Sequence, residues 1–246
     1  MKKIIARTVR MARAYPKITV HAFSLPFGDK GKVSRLMESF TQLRTDYVLQ
    51  QVWPMADGGV DHDYYDRTAT TVYVVGSIRD RVVAGMRLTP VKNVTDSLSY
   101  SMWHYALCRQ EFLDSLAVNL PAAGISDHDS IWDVTRLITE ANTIATSSPI
   151  VRAESRVGLL KILARAAHET DAESPIWIFT TTDQLLRFMR RNHFDVTVLA
   201  EGRISSHDAA NSYFCIVRPK EVIQKLKKNS PILYLIAHHN AREQWS

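Results

Sequence analysis

The sequence contains few cysteines and no long apolar run. Its only cysteines, Cys108 and Cys215, lie in apolar-rich stretches, which favours buried thiols over a disulfide or a metal-binding pair. No segment approaches the roughly 20 apolar residues that cross a bilayer. The basic start resembles a signal peptide, but Arg7, Arg10 and Arg13 interrupt every candidate apolar region. These absences predict a cytoplasmic protein without a transmembrane segment.

Nucleotide and metal motifs are also missing from the sequence. There is no Gly-x-Gly-x-x-Gly or Walker-type loop, so neither familiar cradle for nucleotide phosphates is expected. No EF-hand spacing or zinc signature occurs, and we therefore predict no metal and no bound cofactor. The chain also lacks internal repeats and low-complexity tracts. Its 246 residues, 46% of them hydrophobic, are enough to bury a substantial core.

Positive charge is in excess, and it is concentrated near the start of the chain. The net charge is +6, and residues 1–35 hold nine Lys or Arg against one acid, Asp29. Two interpretations remain open: a solvated basic arm, or a surface that docks an acidic partner.

Hydrophobic periodicity predicts the order of the secondary-structure elements. An amphipathic helix at 33–52 precedes an irregular loop and a β-hairpin within 70–89, which turns at Asp80. Two short helices are expected within 95–125. The remaining elements are a strand at 131–139, a helix at 154–169, a strand at 175–181, a helix from its N-cap Asp183 to about 192, strands at 195–200 and 212–218, and a helix at 220–228. This order predicts an α/β (α+β) fold, with one mixed central sheet flanked by helices. We expect a basic arm (1–30), a main domain (31–220) and a helical extension (221–246).

Three carboxylates are concentrated in six residues of the predicted loop: Asp61, Asp63 and Asp66. Three interpretations are possible. The segment could be a solvated acidic loop, a cation site in which His62 adds a ligand, or a cluster that pairs with arginines from other elements.

The positions of three arginines favour the third interpretation. Arg44 is on the preceding helix, while Arg87 and Arg136 each interrupt an apolar strand. A charge inside a β-core is costly unless it is paired, and Asp133 interrupts the same strand as Arg136. A purely structural ion-pair network remains the alternative at this stage.

The order of these residues resembles the acyl-homoserine-lactone synthase (LuxI-type autoinducer synthase) family. The resemblance covers about 33–200 and consists of Arg44, Tyr47, Trp53, Asp61-x-Asp63-x-x-Asp66, Gly85-Met-Arg87-Leu and Trp132-Asp133-Val-Thr-Arg136. It implies a single acyltransferase domain with a fold related to the GNAT acyltransferases. The sequence departs from the family pattern at Asp61 and Asp133, where glutamate is expected. It also has a longer segment between Arg87 and Asp133.

The resemblance implies a reaction and a set of site residues. The amine of S-adenosylmethionine would take an acyl chain from acyl carrier protein, or less often coenzyme A, and the lactone would close with release of methylthioadenosine. The implied catalytic residues are Asp61 as first candidate for the base, Asp133 as second, and Arg136. The residues implied to bind S-adenosylmethionine or close the lid over it are Arg44, Tyr47, Trp53, Asp63, Asp66 and Arg87.

The resemblance also implies an acyl groove beside the strands 131–139 and 175–182. Thr180, Thr181 and Thr182 lie where the family senses a 3-oxo or 3-hydroxy group, although high β-propensity explains this run equally well. Docking of an acidic carrier protein is predicted for the basic residues of two helices. These are Arg156, Lys161, Arg165, Arg187, Arg190 and Arg191.

Three alternatives to this function remain. An acyltransferase of similar fold could acylate another amine, such as that of an amino acid. A degenerate member of the family could bind its ligands without turnover. The third alternative is a nucleic-acid-binding module, which the basic charge permits, but no recognition motif is present and no nucleic-acid partner is expected.

Overall fold

A computed structural model gives the fold of most of the chain. It describes residues 17–24, 31–50, 70–140, 148–170, 174–192, 194–204 and 211–238. The irregular loop predicted after the first helix lies outside these residues.

The described residues form a mixed sheet flanked by helices, as predicted. The strands are β1 Thr19–Ser24, β2 Val72–Ile78, β3 Arg81–Val91, β4 Ser130–Thr139, β5 Pro175–Thr182, β6 Thr197–Gly202 and β7 Ser212–Val217. The α-helices are α1 Lys32–Gln50, α2 Leu98–His104, α3 Arg109–Ala122, α4 Pro149–Glu169, α5 Asp183–Arg191, α6 Pro219–Asn229 and α7 Pro231–His238. The strand order in the sheet is β1-β2-β3-β4-β5-β7-β6. Strands β4 and β5 run parallel, whereas β1–β2, β5–β7 and β6–β7 are antiparallel.

The structure corrects the predicted boundaries at a few places. The N-cap of α5 is Thr182, and Asp183 is its first helical residue. Helix α4 begins at Pro149, five residues before the predicted start, because proline suits the first turn of a helix. Strand β1 was not predicted, and helix α7 was expected only as part of the helical extension 221–246. The division into an arm, a main domain and an extension remains a prediction.

The β2–β3 hairpin turns at the position that the sequence indicates. Only Arg79 and Asp80 separate the two strands, and Arg79 has a φ of 57°. Two-residue hairpin turns favour positive φ because the turn must follow the right-handed twist of the strands.

The contacts divide the chain into two compact units, and the first contains β1, β2, most of β3, the end of β4, and helices α1, α4 and α7. Alternate residues of a strand point to opposite faces. Val82 accordingly packs in one cluster with Leu36 and Phe40 of α1, whereas Val83 packs in another with Val157 of α4. Helices α1 and α4 therefore cover different faces of this part of the sheet.

The second unit contains helices α2, α3, α5 and α6 and the remaining strand residues. One face of its sheet is covered by an apolar cluster that includes Trp103 of α2 and Phe112 of α3. Their rings stack with centroids 5.2 Å apart, and Phe112 meets Phe214 of β7 edge to face. This aromatic stack holds the two short helices on β5 and β7.

The two cysteines are free thiols. Cys215 is buried in β7, as predicted, and this burial raises its pKa to about 12 despite the nearby charge of Arg190. Cys108 is half-buried, and its Sγ donates a hydrogen bond to the carbonyl of Arg203 at 3.0 Å. In the part of the chain that the structure describes, no helix has the length and apolar character needed to span a membrane.

An ion pair fixes the connection that leads into β4. Asp129 accepts hydrogen bonds from the backbone N–H of Ser126 at 2.7 Å and from Arg218 at 3.3 Å. Burial alone would raise the pKa of Asp129, but hydrogen bonds from Ser126, Ser174 and Arg218 outweigh it and lower the pKa to about 2. The carboxylate therefore stabilises the native state above its ordinary pKa of 3.8, and this contribution is lost as the pH falls toward 2.

We predict that Asp129→Asn lowers the free energy of unfolding at pH 7 by about 1 kcal/mol, a value reduced for solvent screening. The difference from wild type should shrink as the pH falls from 4 toward 2, because the carboxylate of the unfolded chain binds a proton in this range before that of the native state does. Urea unfolding at several pH values measures it, with exposed Asp127→Asn as the control. A difference that stays constant down to pH 2 would contradict the assignment.

Candidate functional site

Part of the predicted site lies outside the described residues. Trp53, Asp61, Asp63 and Asp66 belong to this part, and so does the side chain of Tyr47. Their assignments remain predictions. The arginines, Asp133, the threonines and the basic docking residues can be placed.

Helix α1 approaches β3 closely enough that no side chain fits between them at Gly85. A Cβ atom added there would lie 2.4 Å from Cε2 of Phe40. Arg44 follows Phe40 by one helical turn, and its guanidinium lies over the Phe40 ring, 5.6 Å from the centroid. Val82 and Gly85 both lie on the Phe40 side although they are three residues apart, so the alternation of β3 shifts between them. Regular alternation from Gly85 onward then places Arg87 on the same face. The contact between α1 and β3 thus carries both arginines.

Both arginines are buried, with 1% of Arg44 and 0% of Arg87 exposed. Each takes part in further interactions, as expected for charges taken out of water. The third predicted arginine, Arg136, precedes Ile138 by two residues, and Ile138 packs in the same apolar cluster as Phe40. The three arginines therefore lie on three elements, α1, β3 and β4, that each contribute to this cluster.

The backbone of β4 leaves the extended conformation at Arg136. Its φ is 55°, in the left-handed region that non-glycine residues rarely adopt. Such a residue inside a strand is typical of a bulge, which breaks the alternation of the strand and turns backbone N–H groups away from their regular direction. The resemblance described above also implies a bulged strand near 136–140, and the conformation of Arg136 is consistent with it.

Asp133 lies at the N-terminus of helix α2. Its carboxylate accepts hydrogen bonds from the backbone N–H of Leu98 at 2.8 Å and of Ser99 at 3.3 Å. The hydroxyl of Ser99 donates a third bond at 2.6 Å, and the Asp133 side chain is buried. A carboxylate at a helix N-terminus satisfies free N–H groups and complements the helix dipole. The geometry thus gives Asp133 a structural task, and its role as a base remains a prediction.

The three threonines at the end of β5 differ in their environments. Thr180 accepts a hydrogen bond from the indole N–H of Trp103 at 3.0 Å, on the face that α2 covers. Thr181 is buried and pairs across the sheet with Tyr213, while Thr182 is exposed. Because a hydroxyl that accepts one hydrogen bond still has its own proton to donate, Thr180 retains a donor for a ligand.

The structure corrects one of the predicted docking residues. Lys161 is buried in α4, and its Nζ donates a hydrogen bond to the carbonyl of Ile18 at 3.1 Å. Burial lowers its pKa, and it cannot form part of an exposed basic surface.

The other predicted docking residues remain accessible to different degrees. Arg165 is partly covered and pairs with Glu169 at 2.6 Å. Arg187 pairs with Asp183 but stays largely exposed. The remaining exposed residues are Arg156, Arg190 and Arg191.

A cluster built around Arg81 was not predicted from the sequence. This arginine donates hydrogen bonds to Glu140, which follows β4, and to Glu154 of α4, both at 2.5 Å. The two carboxylates are mostly covered, with 14% of each side chain exposed, so a single arginine ties the end of β4 to the first turns of α4. The residues are 59 and 73 positions apart from Arg81, and no local sequence signal marks the pairing.

Several solved structures share this fold. One is BjaI, a CoA-dependent acyl-homoserine lactone synthase solved with SAM and isopentyl-CoA (TM-score 0.56, 19% identity, covering 86% of this chain and 88% of that one). Another is the acyl-homoserine lactone synthase LasI (TM-score 0.56, 15% identity, covering 83% and 91%). A third is FeeM, an N-acyl amino acid synthase from uncultured soil microbes (TM-score 0.50, 11% identity, covering 86% and 97%).

No family model and no curated protein match the chain. The folds shared with BjaI and LasI confirm the resemblance inferred from the sequence at the level of the fold. At such low sequence identities, a shared fold establishes the architecture of the chain, whereas the activity depends on the residues of the site.

The conformation of Arg136 can be tested with a pair of substitutions. We predict that Arg136→Gly is more stable than Arg136→Ala by about 1 kcal/mol, because only glycine adopts a left-handed backbone without a Cβ penalty. Denaturant unfolding of both variants measures this difference. At the neighbouring Thr135 the order should reverse, since alanine is preferred over glycine in a regular strand. Greater stability of Arg136→Ala would contradict the positive φ.

The structural task of Asp133 predicts a loss of stability when it is changed. Asp133→Asn should lower the free energy of unfolding by about 2 kcal/mol and Ser99→Ala by about 1 kcal/mol, because buried hydrogen bonds to a carboxylate are lost. Asp114 is exposed on α3, and Asp114→Asn should change the free energy of unfolding by less than about 0.5 kcal/mol. An Asp133→Asn variant with wild-type stability but no activity would instead identify Asp133 as a base.

Proposed function

We propose that this protein is an acyltransferase that makes N-acyl-homoserine lactones from S-adenosylmethionine and an acyl thioester. The observation that carries the proposal is the fold shared with BjaI, a synthase solved with SAM and isopentyl-CoA. The sequence pattern supports it independently, and the elements that carry its three arginines, α1, β3 and β4, contribute to one core cluster.

The proposed reaction has two steps. The α-amine nitrogen of S-adenosylmethionine attacks the thioester carbonyl, and the thiol leaves as the amide forms. One oxygen of the methionine carboxylate then attacks the carbon next to the sulfonium, which closes the lactone and releases methylthioadenosine. The first step requires a neutral amine, so a base must take its proton directly or through water.

We assign the base to Asp61 in preference to Asp133. Three donors already occupy the Asp133 carboxylate, whereas the acid triplet Asp61, Asp63 and Asp66 supplies negative charge that suits a sulfonium and an amine. Arg44 and Arg87 would hold these acids, and Trp53 would pack on the ligand. Aspartate is shorter than the glutamate that the family has at position 61. The loop that carries Asp61 would therefore have to bring its backbone closer to the amine.

The break in β4 is the proposed source of oxyanion stabilisation. Attack on the thioester places negative charge on the carbonyl oxygen, and fixed N–H donors at this point lower the barrier. The positive φ of Arg136 supports a bulge whose backbone N–H groups are available for this purpose.

The acyl donor is a separate question within the proposal. The exposed Arg187, Arg190 and Arg191 on one face of α5 would suit an acidic carrier protein. BjaI, however, is a CoA-dependent synthase of the same fold. We favour carrier protein and treat acyl-CoA as the alternative donor.

A second candidate function is N-acylation of an amino acid without lactone formation. It is favoured by the fold shared with the N-acyl amino acid synthase FeeM, 97% of which is covered. Both functions need the same acyl transfer, and they differ in whether methylthioadenosine leaves.

The decisive experiment is incubation of the purified chain with S-adenosylmethionine and either acyl carrier protein or coenzyme A thioesters. We expect one methylthioadenosine for each acyl-homoserine lactone, both quantified by mass spectrometry. Asp61→Asn should reduce the rate at least 100-fold if Asp61 is the base, whereas exposed Asp127→Asn serves as a matched control. Acylation of amino acids without methylthioadenosine would establish the second candidate instead.

The same assay tests a degenerate site. Activity that appears only after Asp61→Glu and Asp133→Glu would show that the short acids had abolished turnover.

A further inference from the structure

The Arg81 cluster joins three elements of the first compact unit through one side chain. Arg81 opens strand β3, Glu140 directly follows the last residue of β4, and Glu154 lies early in α4. Nη1 of Arg81 donates to Glu140 and Nη2 donates to Glu154, each at 2.5 Å. Because a guanidinium is a rigid planar fork, a single group fixes both carboxylates relative to each other.

The environment of the Arg81 cluster makes it costly to open. Each glutamate side chain is 14% exposed, whereas that of Arg81 is 45% exposed. Desolvation alone would lower the pKa of Arg81, but the hydrogen bonds and charges of Glu140 and Glu154 outweigh it and raise the pKa. Without the arginine, two mostly covered carboxylates would repel each other. The loss of Arg81 therefore affects the structure more than the loss of one exposed ion pair would.

The cluster lies at the end of the strand segment that begins at the backbone break in β4. Arg136, with its φ of 55°, precedes Glu140 by four positions and belongs to the same compact unit. Between them, Ile138 and Thr139 are buried. The segment is short and covered, so a shift of its end is transmitted to the backbone at Arg136.

A left-handed residue inside a strand is strained, and it persists only where the chain on both sides is fixed by other contacts. Before the break, Asp133 accepts hydrogen bonds from the backbone of α2. After the break, Ile138 packs in the core cluster of Phe40, and Arg81 holds Glu140. Apolar packing has no preferred direction, whereas the hydrogen bonds of a guanidinium do. The Arg81 cluster therefore sets where β4 ends.

We propose that Arg81 is a positioning residue for acyl transfer. Through Glu140 it fixes the end of β4, and this holds the left-handed backbone at Arg136 beside the proposed oxyanion donors. The catalytic consequence rests on the proposed function. The coupling between the Arg81 cluster and the backbone at Arg136 does not, and it can be measured without any substrate.

A thermodynamic cycle on the full chain tests this coupling. Urea unfolding compares Arg136→Gly with Arg136→Ala, first with Arg81 present and then in the Arg81→Gln background. The stability advantage of glycine over alanine should fall by about half or more in that background, because the backbone at position 136 can relax once its end is released. Arg79→Gln is the matched control. It removes the same charge from an exposed position of the same hairpin and should leave the advantage unchanged.

Steady-state kinetics with S-adenosylmethionine and an acyl thioester test the catalytic consequence. Arg81→Gln and Glu140→Gln should each lower kcat about tenfold, because a displaced oxyanion donor costs less than the roughly hundredfold loss caused by a deleted one. KM for S-adenosylmethionine should stay within about twofold, since the donors act on the transition state. Glu154→Gln should have a smaller effect on kcat, because it leaves the contact between β3 and the end of β4 intact.

A charge exchange separates positioning from a general loss of packing. The double variant Arg81→Glu/Glu140→Arg again places one cation between two carboxylates, and it should recover most of the lost kcat. Arg79→Gln should keep the wild-type kcat. All rates are measured well below the melting temperature of each variant, so that the folded protein is compared.

The possible failures can be told apart. An equal advantage of glycine in both backgrounds would overturn the coupling and with it the positioning role. A wild-type kcat for folded Arg81→Gln would overturn the catalytic consequence, because the cluster would then be a structural link between β3, β4 and α4. If the wild type releases no methylthioadenosine, the proposed function fails instead, and the cycle at position 136 still decides the coupling.

Discussion

The close contact between helix α1 and strand β3 is the constraint on which the candidate site depends. Phe40 packs where Gly85 has no side chain, so the helix lies directly on the strand. This approach removes Arg44 and Arg87 from water on the same face. Their burial costs free energy that only paired acids or hydrogen bonds offset. A larger residue at position 85 would move the helix and with it one of the two charges.

The break at Arg136 has a related geometric consequence. In a regular strand, residues three apart point to opposite faces, and Asp133 and Arg136 would follow this rule. A left-handed residue interrupts the alternation, so the direction of the Arg136 side chain is no longer set by the position of Asp133. Asp133 accepts the N–H groups of helix α2, while Ile138, beyond the break, packs in the core cluster of Phe40. One strand supplies two different environments.

Sequence periodicity predicts most of the described fold because each correct element has a strong local signal. Helix α1 carries apolar residues at helical spacing, and the β2–β3 hairpin combines two β-rich runs with a turn residue. Strand β1 is half-buried along most of its length, so its pattern is weak. Helix α7 follows α6 after a single residue, and its apolar run gives no boundary except Pro231.

The errors about the site have physical reasons as well. Lys161 was assigned to a surface because lysine is usually exposed. However, almost all residues of α4 from Val157 to Ala166 are buried. A helix that is apolar on all sides is expected to be buried, and a lysine within it is then buried too. The Arg81 cluster joins residues far apart in the chain, and pairing over such distances follows only from the fold.

The environment of Thr180 shows how packing can sharpen a chemical assignment. From sequence, a threonine at the end of β5 is equally a β-former and a polar contact for an acyl chain. In the structure its oxygen accepts the Trp103 indole proton, and Trp103 is itself held by stacking on Phe112. One of the two lone pairs on the oxygen is then used, while the hydroxyl proton and the second lone pair remain available to a ligand. If the proposed acyl groove runs along this strand, Thr180 would favour a chain with an acceptor oxygen, such as a 3-oxo group, over an unsubstituted one.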